Sequence, residues 1–291
     1  MTTKTINMNN TFSFNEFDMS MMVENPAILL VGKRGTGKSW ITKDYLEFFK
    51  HIPTTQVICP TDKLNKFYSA FVPATFITHD YKAKTFDRLL DRQLKLIVRN
   101  EKCEQNKKVD VRTILVMDDC LSSKGEWEKE KNVREVLYNG RHYGISYLLT
   151  MQYALGIKPE LRGNFDYVFL LSETFTSILK KLYEHYAGDF PTFPAFKKVF
   201  GEFTKDKGCM VIVNRGSPPN IYEKIFHYRA RDLSVKKFTI GGRQYLKFNE
   251  KNYNKDWLES NRGTANIDTF FDKGNKQKSF NVHINSGKEL V

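Results

Sequence analysis

"AILLVGKRGTGKSW", Ala27 to Trp40, decides how the rest of the chain is read. The consecutive apolar residues Ala27 to Val31 predict a strand buried on both faces. Gly32 to Ser39 then fits G-x-x-x-x-G-K-[ST], and an amphipathic helix is expected over Ser39 to His51. The glycines let the backbone curl so that its N–H groups point inward around phosphates. An ordinary glycine-rich turn that binds nothing would not need Lys38 and Ser39 together. The expected nucleotide contacts are therefore Gly32, Lys33, Arg34, Gly35, Thr36, Gly37, Lys38, Ser39 and Trp40. Lys38 would reach the β- and γ-phosphates of ATP, Ser39 would give its hydroxyl to Mg²⁺, and the helix N-terminus would add partial positive charge.

Downstream, "TILVMDDC", Thr113 to Cys120, is an apolar run ending in two adjacent carboxylates. On its own it reads as a strand followed by an Asp-rich turn. After a phosphate loop, the carboxyl edge of the sheet is where ligands bind, so both groups should face the phosphates. Asp118 is expected to hold Mg²⁺, and Asp119 to orient or deprotonate the attacking water. "NGRHYGISYLLTMQY", Asn139 to Tyr153, adds a strand that ends near Gln152. In ATP-hydrolysing motors a strand between the loop strand and the acidic strand carries a polar tip residue that senses the γ-phosphate, a role Gln152 suits. Its bland reading is a solvent-facing strand end. Gly140 is expected to stop the preceding helix. Arg141 then reads either as a basic residue favoured at a helix C-terminus or as an arginine finger reaching a neighbouring subunit's nucleotide. Arg162, in "KPELRGNFDYVFLL", is a second candidate for that job.

Further strands are expected over Gln56 to Cys59, Ile114 to Met117, Ser146 to Thr150, Tyr167 to Leu171 and Cys209 to Asn214. Helical patterns lie between, as at Lys84 to Arg99, Val133 to Tyr138 and Thr176 to Tyr186. Alternation of this kind predicts an α/β fold, a mostly parallel sheet flanked by helices. The chain is expected to divide into an N-terminal extension (1–25), a P-loop ATPase domain (26–231) and a basic Asn/Lys-rich C-terminal region (232–291). That last region is expected to be a weakly structured tail whose aromatic residues could dock on the main domain. With 291 residues and 41% hydrophobic content, the chain can build a real core. No apolar run approaches the roughly 20 residues of a membrane span, and the start lacks a signal-peptide pattern. Four dispersed cysteines without a CxxC pair argue against zinc or a disulfide framework. The net charge of +13 attracts polyanions. Lys107, Lys108 and Lys124, on charged connectors flanking the acidic strand, are candidate DNA-phosphate contacts, although lysines of this kind are usually just solvated.

Taken in order, "LLVGKRGTGKSW", "ICPTDKLNKFYSAFVP", "ILVMDDC", "NGRHYGISYLLTMQ" and "LRGNFDYVFLL" resemble the poxvirus-type genome-packaging ATPases of large double-stranded DNA viruses, within the FtsK–HerA group of P-loop motors. The likeness covers roughly Pro26 to Arg231. It implies a RecA-like core, a homo-oligomeric ring, and ATP-driven movement of viral double-stranded DNA into a preformed capsid, with a capsid or portal component as partner. The host cytoplasm at the virus assembly site, or the virion, would be its location. Carried over residue by residue, it places the phosphate lysine at Lys38, the Mg²⁺ ligands at Ser39 and Asp118, the water-activating acid at Asp119, the sensor at Gln152 and a trans-acting arginine at Arg141. The wider motor group usually has glutamate where Asp119 stands, one methylene longer. A nucleotide kinase would share the P-loop but would need an arginine-rich substrate lid. A capsid-associated protein that binds nucleotide without turnover would not need the full set of Lys38, Ser39, Asp118 and Asp119.

Overall fold

The computed structural model describes residues 3–7, 11–120, 129–216 and 220–254. Ten strands and eight α-helices are described. In chain order they are β1 (Thr3–Asn7), β2 (Thr11–Asn15), β3 (Ala27–Val31), α1 (Lys38–Phe48), β4 (Thr54–Ile58), α2 (Asp62–Asn65), β5 (Ile77–Thr78) and α3 (Ala83–Glu101). There follow β6 (Thr113–Asp118), α4 (Lys131–Asn139), β7 (Ile145–Met151), α5 (Pro159–Arg162), β8 (Tyr167–Leu171), α6 (Thr176–Tyr186), α7 (Phe193–Phe203), β9 (Cys209–Val213), β10 (Ile225–Tyr228) and α8 (Arg243–Asn252). β1 and β2 form an antiparallel pair. The remaining strands make one sheet in the order β10-β9-β8-β3-β7-β6-β4-β5. From β8 to β5 every pairing is parallel, whereas β9 runs antiparallel to β8 and β10 antiparallel to β9.

Unbroken apolar runs fit this sheet because helices cover both of its faces. Alternate residues of β3 show it: Leu29 and Val31 join a core with α3, α4, α6 and α7, while Ile28 and Leu30 join one with α1. β7, at the centre, is buried at all positions. It lies between β3 and β6, so the phosphate loop, the acidic pair and Gln152 leave three adjacent strands at one carboxyl edge.

Three local features differ from the sequence expectation. α4 does end at Asn139, but Gly140 is right-handed and begins a 3-10 turn to Tyr143. The left-handed stop is Gly144, with φ of +68°. The N-terminal stretch is integral to the core, because Phe14 and Phe17 are buried in the two opposite cores, and the Phe17 N–H donates to the His227 carbonyl at 2.8 Å. Finally, the Asn/Lys-rich region is structured as far as it is described. Ile240 is fully buried, and α8 holds Tyr245 stacked on Phe76 with ring centroids 3.9 Å apart. The compact unit accordingly runs to Lys251. This is the aromatic docking on the main domain that the sequence allowed, and a few aromatic and aliphatic anchors suffice for it despite the polar composition. The expected tail beyond 254 lies outside the described residues. Among the described residues no helix is long and apolar enough to cross a membrane.

Candidate functional site

The chain leaves β3 into the loop with the Gly32 N–H still donating to the Met151 carbonyl of β7 at 3.0 Å, so the loop is launched from the sheet itself. A Cβ at Gly32 would sit 2.7 Å from both the Leu171 Cβ and the Thr36 Oγ1, which is why only glycine fits there. Gly35 and Gly37 take φ of +76° and +113°, conformations costly for residues with a Cβ. The Thr36 hydroxyl donates to the Lys33 carbonyl at 2.8 Å and closes the loop. Lys33 in turn pairs with Glu173 at 3.3 Å, fastening the loop to the tip of β8. Gly37 caps α1, and the Lys38 ammonium donates to the carbonyls of Gly32 and of Lys33, the latter at 3.1 Å. Burial pulls the Lys38 amine below its ordinary range, while the charges of Asp119 and Asp118 oppose that shift. The loop lysine and both carboxylates therefore share one electrostatic environment.

At the end of β6 the two aspartates face different partners. Asp118 accepts from the hydroxyl of Thr150, on β7, and from the Cys59 thiol at 3.7 Å. Burial first, and Asp118 second, raise the Cys59 thiol to about 11, so it remains a neutral donor. Asp119 is left-handed, with φ of +54°, and its N–H donates to the same Thr150 oxygen at 3.2 Å. A non-glycine residue held there stores strain of about 1 kcal/mol, offset by its surroundings. The turn aims the Asp119 carboxylate at Gln152, whose amide donates to it at 2.6 Å. A cleft of about 590 Å³ opens between these groups, lined by Lys33, Arg34, Gly35, Gly37, Lys38, Ser39, Trp40, Asp118, Asp119 and Gln152.

Residues 14–186, more than half of the chain, match the family described as Poxvirus A32 protein. The chain belongs to the poxvirus A32 protein family. It is 43% identical over 249 residues to uncharacterized protein L437 of Acanthamoeba polyphaga mimivirus, covering 85% of this chain and 87% of that one. It is 30% identical over 255 residues to uncharacterized protein 088R of Invertebrate iridescent virus 3, covering 83% and 94%. Among solved structures, the genome packaging NTPase B204 from Sulfolobus turreted icosahedral virus 2, in complex with AMPPCP, superposes with a TM-score of 0.50 at 17% identity, over 72% of this chain and 100% of that one. That likeness is one of fold.

In this A32-family chain the two candidate arginines lie outside the cleft. Arg141 sits in the turn before β7, at the amino edge of the sheet, where it pairs with Asp166 at 3.3 Å. Asp166, 4% exposed, also takes Arg215 at 3.0 Å and the Ala27 N–H at 2.8 Å. Arg162 ends α5, donates to the Ile157 carbonyl at 3.1 Å and lies over the Tyr186 ring. Lys107 is paired with Glu104 at 3.0 Å, and both Lys107 and Lys108 precede the amino end of β6, the end opposite its acidic pair. Lys124 falls outside the described residues.

Sequence reasoning missed several cleft residues. Thr61, Asn65 and Phe67 line it from the segment around α2, inside the stretch "ICPTDKLNKFYSAFVP". Thr150 was visible only as a strand residue, though its hydroxyl serves both aspartates. Lys207 enters from the turn before β9, and the expectation of a mostly parallel sheet did not say that β9 runs antiparallel to β8.

Proposed function

We propose that this protein is an ATP-hydrolysing motor that moves viral double-stranded DNA into capsids. The observation that carries the reading is the meeting of Lys38, Ser39, Asp118, Asp119 and Gln152 around one cleft at the carboxyl edge of three adjacent strands. Membership of the poxvirus A32 family and a fold like that of the genome packaging NTPase B204 support it.

ATP would lie with its phosphates in the loop and Lys38 on the β- and γ-phosphates. The Ser39 hydroxyl and the Asp118 carboxylate are hard oxygen donors and suit Mg²⁺. This ion typically takes one or two protein ligands besides phosphates, in keeping with the absence of any cluster of three metal-binding side chains among the described residues. When bound, Mg²⁺ would neutralise charge on the phosphates. Asp119, with Gln152 on its carboxylate, would hold and deprotonate the attacking water, and the Gln152 amide would register the γ-phosphate. Arg141, or Arg162 as the second candidate, would supply a cation to a neighbouring subunit in a homo-oligomeric ring. The net charge of +13 suits contact with duplex phosphates of any sequence. A capsid or portal component would be the docking partner, at the assembly site in the host cytoplasm or in the virion.

Wild-type protein is expected to release phosphate from ATP, faster with duplex DNA than without. Lys38→Ala is expected to lose turnover by at least about 10²-fold. Full turnover in Lys38→Ala, or phosphoryl transfer to a nucleoside monophosphate in place of hydrolysis, would sink the reading.

A further inference from the structure

We propose that Lys207 is a second nucleotide-binding cation, directed at the α-phosphate end of the nucleotide. This rests on the reading of the P-loop cleft as a nucleotide site. β9 is antiparallel to β8, with Cys209 opposite Leu171, so the turn leading into β9 comes to the same edge as the phosphate loop. There Lys207 lines the cleft, and its Cβ and carbonyl oxygen lie 3.8 Å from where a Cβ on Gly37 would be.

The turn is built to hold that position. Asp206 and Lys207 are both left-handed, with φ of +49° and +63°, a pair of conformations that non-glycine residues rarely adopt. Gly208 follows with its α-carbon pressed on the chain, since a Cβ there would meet the Phe203 carbonyl oxygen at 2.3 Å. Neighbouring charges are taken elsewhere: Lys205 pairs with Glu202 and Asp206 with Arg229. Among the described residues Lys207 makes no ion pair, and its ammonium instead lies 5.9 Å from the centroid of the Trp40 ring, which is 40% exposed. A strained turn that delivers an unneutralised cation beside a phosphate loop fits a site for an anion.

The end of the nucleotide it takes follows from what the other groups leave. Lys38, Asp118, Asp119 and Gln152 gather where the γ-phosphate would lie, whereas Trp40 follows Ser39 on the first turn of α1 and Lys207, from the turn before β9, stands over its ring. The α-phosphate is common to ATP and ADP, so Lys207 would bind both alike and take no part in sensing the γ-phosphate.

The test uses Lys207→Asn, because asparagine tolerates the left-handed backbone while removing the charge. Calorimetry on the full chain would measure Kd for ADP and for a non-hydrolysable ATP analogue. The expected result is about a tenfold loss for both, with kcat at saturating ATP within about twofold of wild type, near wild-type affinity in Lys207→Arg, and an unchanged melting temperature without nucleotide. Equal affinity of Lys207→Asn and wild type overturns the role of Lys207 alone, and so does a loss confined to the triphosphate analogue. Wild-type protein that binds neither nucleotide overturns the cleft reading together with it.

Discussion

Thr150 is a single fully buried hydroxyl on which both acidic groups depend. It donates to the Asp118 carboxylate and accepts from the Asp119 N–H. Thr150→Val keeps the shape but strips the Asp119 amide of its acceptor and the Asp118 carboxylate of its hydroxyl donor, leaving the weaker Cys59 thiol. Lost supporting contacts of this kind typically cost 10- to 100-fold in activity. We expect kcat to fall about tenfold in Thr150→Val with nucleotide affinity nearly unchanged, and Thr150→Ser to recover most of it. Steady-state phosphate release alongside ADP titration measures both. A Thr150→Val enzyme with normal kcat would mean that the aspartates hold their places without it.

α1 couples the phosphate loop to the polar region beyond residue 231. Its inner face carries Asp44, fully buried, and Glu47, 4% exposed. Arg231 bonds both, at 2.6 Å and 2.9 Å, the Tyr228 hydroxyl donates to Asp44 at 2.6 Å, and Lys236 and Lys50 reach Glu47 at 2.8 Å and 2.7 Å. Hydrogen bonds from Lys236, then Lys50, hold the Glu47 carboxyl at about 2, well below its ordinary range. A depressed carboxyl contributes stability that is complete above its unfolded pKa, about 4.3, and is lost as pH falls through the folded value. Lys236→Ala is therefore expected to lower stability by about 1 kcal/mol at pH 6, a small figure because the lysine is half exposed. That deficit should shrink towards zero near pH 2, and paired melting curves across this range follow it. A deficit that stays constant with pH would assign the effect to packing. The same element shows what was legible in sequence. Ends of β3, β8 and α6 follow from unbroken apolar runs or helical period, and the acidic pair and Gln152 follow from strand ends at one edge. Docking of the region after residue 231 was legible only in kind, because the anchors Arg231, Lys236 and Tyr245 act through partners far away in the chain. Lys207 was hidden by strand direction, which apolar runs do not encode.

For the whole molecule, Arg141 poses the question of assembly. β7 separates it from Gln152, with Arg141 at the amino edge of the sheet and the cleft at the carboxyl edge. Arg141 therefore has no route to its own subunit's phosphates, and a catalytic role requires a second copy. Within the subunit its removal should be mild, since Arg215 and the Ala27 N–H still satisfy Asp166. Arg141→Ala is expected to melt within about 1 kcal/mol of wild type and to bind nucleotide normally, yet to lose turnover by about 10³-fold if it acts as a finger. Mixing then separates the two sites. An Asp119→Asn subunit has an intact Arg141, an Arg141→Ala subunit has an intact cleft, and an interface between them joins one good copy of each. Random mixing in equal amounts places a complete site at about a quarter of interfaces, so phosphate release should rise from near zero to a substantial fraction of wild type. Arg162→Ala mixed in the same way tests the second candidate. Turnover that fails to recover at every ratio, while the mixed particles keep wild-type mass, would leave Arg141 with the structural pairing to Asp166 alone.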